Sequence, residues 1–186
     1  MDLKEAIYKR RSVRQFTDAQ VEKEKLDTLF QAAVQAPSAT NAQPWAFAVI
    51  RDVELLKNYS DGAKKILLDN IETIPYLEKY KSALENRNFN IFYNANCLVI
   101  IYAKEIHPAA SGDCCLAAQN LMLTAHSIGL GTCWIGFALK FLNEPEIMQA
   151  LNVPQGYQAV APIIVGYPKK ALPDITKNDP VILFEK

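Results

Sequence analysis

No stretch of the 186 residues approaches the 18 consecutive apolar side chains of a membrane-spanning helix. Glycine (7) and proline (10) are too sparse for a collagen-like or low-complexity chain. The four cysteines, Cys97, Cys114, Cys115 and Cys133, form neither a CxxC pair nor a zinc-ligand spacing, so they are expected to be reduced and mostly buried. Two isolated histidines, His107 and His126, make no metal centre, and HExxH, GxSxG and P-loop patterns are absent. Neither sign of charge is in excess. Twenty Lys and Arg balance twenty Asp and Glu, which excludes a surface built as a whole to attract nucleic acid or an anionic membrane. The N-terminal MDLKEAIYKR is charged and amphipathic where a signal peptide needs an apolar run, so the cytoplasm is the expected location.

What the sequence does have is an ordinary core. Half of the residues are hydrophobic, and at this length folding removes roughly 70% of the unfolded chain's surface from water. One domain spanning 1–186 is expected. Leu3, Ala6, Ile7 and Arg10 follow helical spacing, so a short helix over 2–10 opens the chain, and Ser12 to Phe16 alternates like an extended segment. A second helix is predicted from Glu22 to Gln35, ending before Pro37, and Trp45 to Ile50 reads as a buried strand. Residues 52–90 are helical and polar, with Gly62 and Pro75 as punctuation. Cys97 to Tyr102 is a continuous apolar strand of the kind covered on both faces. Gly112 to Ile128 is a helix apolar almost all round, which must be buried centrally or at a subunit interface, with Gly129 and Gly131 as its stop. A short helix follows at 144–151, and Ala159 to Tyr167 is another strand. Val181 to Phe184 is an apolar tail that needs a surface to dock on. The class is α/β or α+β around a central sheet.

Three runs carry candidate chemistry. Three of the five arginines lie in Arg10-Arg11-Ser12-Val13-Arg14. In an extended segment Arg10, Ser12 and Arg14 point to one side, and two guanidinium forks with a hydroxyl suit a phosphate. The same run could equally be the solvated basic end of a helix, favoured by its dipole. The loop Pro37-Ser38-Ala39-Thr40-Asn41-Ala42-Gln43-Pro44 has small residues that let a flat ligand approach the backbone. Gly129 to Phe137 sets glycines on either side of an apolar strand, but its GxG lacks the remaining glycines of a dinucleotide fingerprint.

Taken together and in order, RRSVRQF, PSATNAQPW, FYNANCLVIIYA, DCCLAAQNLMLTAHSIGLGTCWIGF and the VGYP ending at Pro168 resemble the nitroreductase family of FMN-dependent NAD(P)H oxidoreductases over nearly the whole chain. The resemblance implies a mostly antiparallel or mixed sheet flanked by helices, and a homodimer with a flavin site at each subunit interface. It also implies a C-terminal extension packed on the partner subunit. By the same resemblance Arg10, Arg11, Ser12 and Arg14 hold the FMN phosphate and ribityl chain. Pro37, Ser38, Ala39 and Asn41 contact the flavin from the opposite subunit. Trp134, Ile135 and Gly136 lie against the isoalloxazine with a backbone N–H near N5. The family's cation after the GYP motif falls on Lys169, Lys170 or Lys177, of which Lys177 has the better spacing, and Asn88 or Asn90 could reach the pyrimidine edge.

The implied activity is hydride transfer from NAD(P)H through flavin N5 to a nitroaromatic, quinone or related acceptor in a ping-pong cycle. No catalytic side chain is required, which agrees with the missing triad and metal cluster. A non-catalytic flavin sensor or store would keep the same residues and is the alternative.

Overall fold

A computed structural model describes residues 1–186. Its centre is the apolar run foreseen in the sequence: β2 (Cys97–Lys104) is buried from Cys97 to Ala103. β1 (Trp45–Ile50) pairs with one of its edges and β4 (Tyr157–Gly166) with the other, and β3 (Gly131–Trp134) pairs with β4. The order β1-β2-β4-β3 is antiparallel throughout, with a bulge between Ile101 and Tyr102.

Period-two alternation sorts β2 onto two separate cores. Cys97, Val99, Ile101 and Ala103 face α5 (Ala110–Ser127) and α2 (Lys23–Ala33), which contribute Cys114, Ala117, Leu121 and Ala125, and Leu26, Leu29 and Ala33. Leu98, Ile100 and Tyr102 face α3 (Val53–Asp69), from which Leu56, Tyr59 and Ala63 come at helical spacing. Both faces of the sheet are therefore covered by helices. No helix is long and apolar enough to cross a membrane.

The helices begin where the side chains permit. Asp2 accepts the Glu5 N–H at 2.7 Å and starts α1 (Leu3–Lys9), and Asp52 does the same for Leu55 at 3.0 Å at the head of α3. Gly62, expected to punctuate, lies inside α3: the Phe141 ring packs where its Cβ would be, so packing outweighs the low helix propensity of glycine. Gly131 likewise belongs to β3 and leaves Gly129 alone to end α5, with φ +82°. Two short helices, α6 (Leu139–Leu142) and α7 (Pro145–Ala150), follow α4 (Lys81–Glu85) in the chain, and α6 was not foreseen.

Two close approaches fix the arginine-bearing segment. Val13 donates its N–H to the Thr132 carbonyl at 2.9 Å, Ser12 bridges Thr132 in parallel, and Phe16 bridges Pro168 antiparallel. Val13 and Phe16 are buried against the sheet at Gly131 and Gly166. A Cβ on Gly131 would lie 2.6 Å from Val13 Cγ2, and one on Gly166 would lie 2.8 Å from Phe16 Cδ1, so only glycine lets residues 12–16 seat there. Beyond Tyr167 the chain has no helix or strand, and Val181, Ile182, Leu183 and Phe184 are 85%, 67%, 94% and 80% exposed.

Candidate cofactor site

The seated segment ends α1 and turns its polar side chains outward. Arg10, Arg11, Ser12 and Arg14 line one cavity of about 870 Å³, and Lys177 from the C-terminal segment lines it too. No carboxylate lines this cavity. Four cations with the hydroxyl-bearing Ser12 and Tyr8, and no lining acid, make a site for an anion with several acceptor oxygens. Of the three candidate lysines, Lys177 is the one brought here; Lys170 lines a neighbouring cavity, and the Lys169 N–H donates to the Gln15 carbonyl.

Arg11 differs from its neighbours. Its guanidinium donates to the Tyr8 and Arg10 carbonyls at 2.7 and 2.9 Å and pairs with Asp174 at 3.3 Å. It therefore closes the C-terminus of α1 and ties down the C-terminal segment that carries Lys177. Its Nε is buried without a partner, so a donor remains for a ligand. Burial, and then the Arg10 charge, hold His126 below the ordinary histidine range at the far end of α5.

A second cavity, of about 590 Å³, adjoins the first, and Arg14 lines both. Its walls include Trp134, Ile135, Gly136 and Phe137 together with Tyr76, Tyr80 and Tyr93. The Ile135 N–H is taken by the Pro162 carbonyl at 2.8 Å, so that amide does not face a ligand. Tyr93 lies near the Arg14 guanidinium, 5.8 Å from its ring centroid. Its segment is held from beneath: Ser60 Oγ accepts the Ile91 N–H at 3.0 Å, and the buried Lys64 ammonium donates to the Phe89 carbonyl at 2.9 Å.

The loop around Pro37 stands apart. Pro37, Ser38, Ala39 and Asn41 line neither cavity. Ala39 is held by Asp113 at the start of α5, whereas Arg10 acts on His126 near its end. Thirteen residues of helix separate these anchors by about 20 Å. Within one chain the loop and the arginines cannot touch the same small ligand region. Asn88 and Asn90 also line neither cavity; Asn90 Oδ1 accepts the Phe92 N–H at 2.8 Å.

The tyrosines and Asp113 were missed in the sequence. Tyr76 and Tyr80 are four apart in a segment whose polarity concealed them, and Asp113 is the one acid in α5, among buried residues that are otherwise apolar.

The nitroreductase family model matches residues 7–167. The chain belongs to the nitroreductase family. An FMN-dependent nitroreductase from Clostridium difficile is 30% identical and superposes with a TM-score of 0.71 over 94% of this chain and 92% of that one. A nitroreductase with bound FMN from Bacteroides fragilis shares the fold, with a TM-score of 0.87 over 100% of both chains at 23% identity. The FMN reductase (NADPH) of Bacillus subtilis is 28% identical over 177 residues, 88% of this chain and 65% of the relative.

Proposed function

We propose that this nitroreductase holds the FMN phosphate among Arg10, Ser12, Arg14 and Lys177, with the ring along Trp134, Ile135 and Gly136. The observation that carries this is the position of Arg14, which lines both a cationic cavity and an aromatic one. FMN has that polarity: an anionic phosphate at one end and a flat ring at the other. The orphaned Arg11 Nε fits the same phosphate end. When bound, FMN supplies the redox chemistry, accepting a hydride from NAD(P)H and giving one to an acceptor.

The chain's own residues position and enclose. Arg10 and Arg14 fix the anionic end by charge-assisted hydrogen bonds, and Trp134 with Ile135 gives the ring an apolar wall. NAD(P)H and the acceptor then occupy the aromatic cavity in turn, which makes the cycle ping-pong, with nitroaromatics or quinones as acceptors. Pro37, Ser38, Ala39 and Asn41 reach the flavin of a second copy, because α5 holds them too far from their own arginines. The same dimer covers the exposed Val181–Phe184 tail.

The test is a spectrum of the purified protein followed by anaerobic NADH or NADPH. Yellow protein that bleaches, and parallel double-reciprocal lines with a quinone, are expected. Flavin that stays oxidised would instead mark a flavin store, and intersecting lines would rule out alternate use of one cavity.

A further inference from the structure

Reduction of a quinone to a hydroquinone takes up a hydride and a proton, and on the reading above the flavin supplies only the first. The walls of the aromatic cavity are apolar except for the Arg14 guanidinium, the Cys133 thiol and the phenols of Tyr76, Tyr80 and Tyr93. An arginine guanidinium gives up no proton at any working pH. Cys133 is turned to the Trp134 carbonyl, and burial pushes its thiol pKa up. No carboxylate lines the cavity; Glu72 and Glu78 of the same segment are exposed outside it. Only a phenol is left as a protein acid.

The three phenols are not equivalent. The Tyr80 ring meets Phe137 edge-on, with 5.0 Å between centroids, which sets it beside the Trp134–Gly136 wall. Its hydroxyl lies 3.2 Å from that of Tyr76, which is exposed to solvent. The Lys79 ammonium stands over both rings, at 4.3 Å from Tyr76 and 5.0 Å from Tyr80. The hydrogen bond with Tyr76, and then the Lys79 and Arg14 charges, hold the Tyr80 pKa below the ordinary phenol value, while the same hydrogen bond moves Tyr76 up. Tyr93 meets Arg14 through its ring.

Resting on the flavin reading, we propose that Tyr80 is the proton donor to the acceptor and that Tyr76 restores its proton from solvent. The Tyr80 O–H bond breaks as an O–H bond forms on the acceptor oxygen. The phenolate takes the Tyr76 proton, and Tyr76 takes one from water. The electron pair comes from NAD(P)H, so a quinone that gains one hydride and one proton leaves as the hydroquinone.

Two measurements test this on the purified protein and its Tyr80→Phe and Tyr76→Phe variants. In a phenolate absorbance titration, one tyrosine of the wild type should ionise ahead of the others. That step should vanish in Tyr80→Phe and move to higher pH in Tyr76→Phe. In stopped-flow oxidation of the reduced protein by duroquinone, the wild-type rate should fall as pH rises through that step. Tyr80→Phe should be slower by about a hundredfold, the lower end for general acid catalysis, and lose that limb. A Tyr80 that ionises with the other tyrosines, or a Tyr80→Phe variant that keeps both the rate and the limb, would overturn the proposal. Colourless protein, or flavin that NAD(P)H leaves oxidised, would instead overturn the flavin reading; the tyrosine titration is read independently of it.

Discussion

The Asp113 carboxylate accepts the Ala39 N–H with both oxygens, at 3.2 and 3.3 Å, joining the first turn of α5 to a loop 74 residues earlier. Asp113 is buried, and His107 Nε2 approaches its Oδ2 at 3.4 Å. The loop needs such an anchor. Thr40, Asn41 and Gln43 all have positive φ, a conformation that costs non-glycine residues about 1 kcal/mol each. Ser38 Oγ, which accepts the Gln43 N–H at 3.0 Å, holds the other end.

Asp113→Ala would leave the Ala39 N–H without its acceptor and release the strained loop. A loss of about 1.5–3 kcal/mol is expected, the range for a hydrogen bond to a charged group, read from the urea midpoint. If the loop reaches the flavin of a second copy, FMN affinity should also weaken by roughly tenfold, equivalent to about 1.4 kcal/mol, in a fluorescence titration. Unchanged values on both scales would leave the contact without consequence.

Alkaline stability is a second test, resting on the buried thiols. Burial pushes Cys97 up to about 11 and Cys114 up to about 12, from an ordinary value of 9.0. Above pH 9 the unfolded chain therefore loses these protons while the folded chain keeps them. The stabilisation is complete below pH 9 and is lost as pH rises toward 11 and 12, at up to about 1.4 kcal/mol per pH unit for each thiol. Cys114→Ala should make the fall in urea midpoint over that range shallower, whatever it does to stability at pH 7.

The parts of the molecule legible in the sequence are those where a single physical effect outweighs the rest. Cys97 to Ala103 could be read as a doubly covered strand because burial on both faces leaves no polar position to confuse the pattern. The arginine run was legible because charge was concentrated there. Gly62 was not, because its place inside α3 depends on a ring 79 residues away. Nor was the tyrosine wall: the 3₁₀ segment Pro75–Tyr80 has neither the helical nor the strand period, so its aromatics could not be assigned to a face. Alternation placed Arg11 opposite Arg10 and Arg14, yet it reaches the same cavity by turning back onto the end of α1.

The exposed tail makes a prediction about assembly. Val181, Ile182, Leu183 and Phe184 are all open to solvent within one chain. Burying a side chain of this kind is worth about 1.5–3 kcal/mol. Truncation after Pro180 should therefore weaken a dimer by at least roughly a hundredfold, which is about 2.7 kcal/mol. Sedimentation across a concentration series would show it. A full-length chain that stays monomeric at micromolar concentration would remove the dimer from the proposed site.

The phosphate assignment meets its sharpest test at Arg10 and Arg14. Both side chains line the cationic cavity, and neither is tied by hydrogen bonds as Arg11 is. Each charge-assisted hydrogen bond to a phosphate is worth about 1.5–3 kcal/mol, so losing two weakens FMN binding by about two to four powers of ten. Arg10→Ala with Arg14→Ala should therefore yield colourless protein that still folds, since both substitutions remove solvent-facing charge. Lys177→Ala should weaken binding by one such step, and Lys169→Ala should leave it unchanged, because that residue reaches the site region only through its backbone N–H. Arg11→Ala should act differently, loosening the C-terminal segment through Asp174, and proteolysis there would report it. Stoichiometric FMN retained in the Arg10 and Arg14 double variant would show that the phosphate lies elsewhere, and equal losses for Lys177 and Lys169 would show that net charge alone decides.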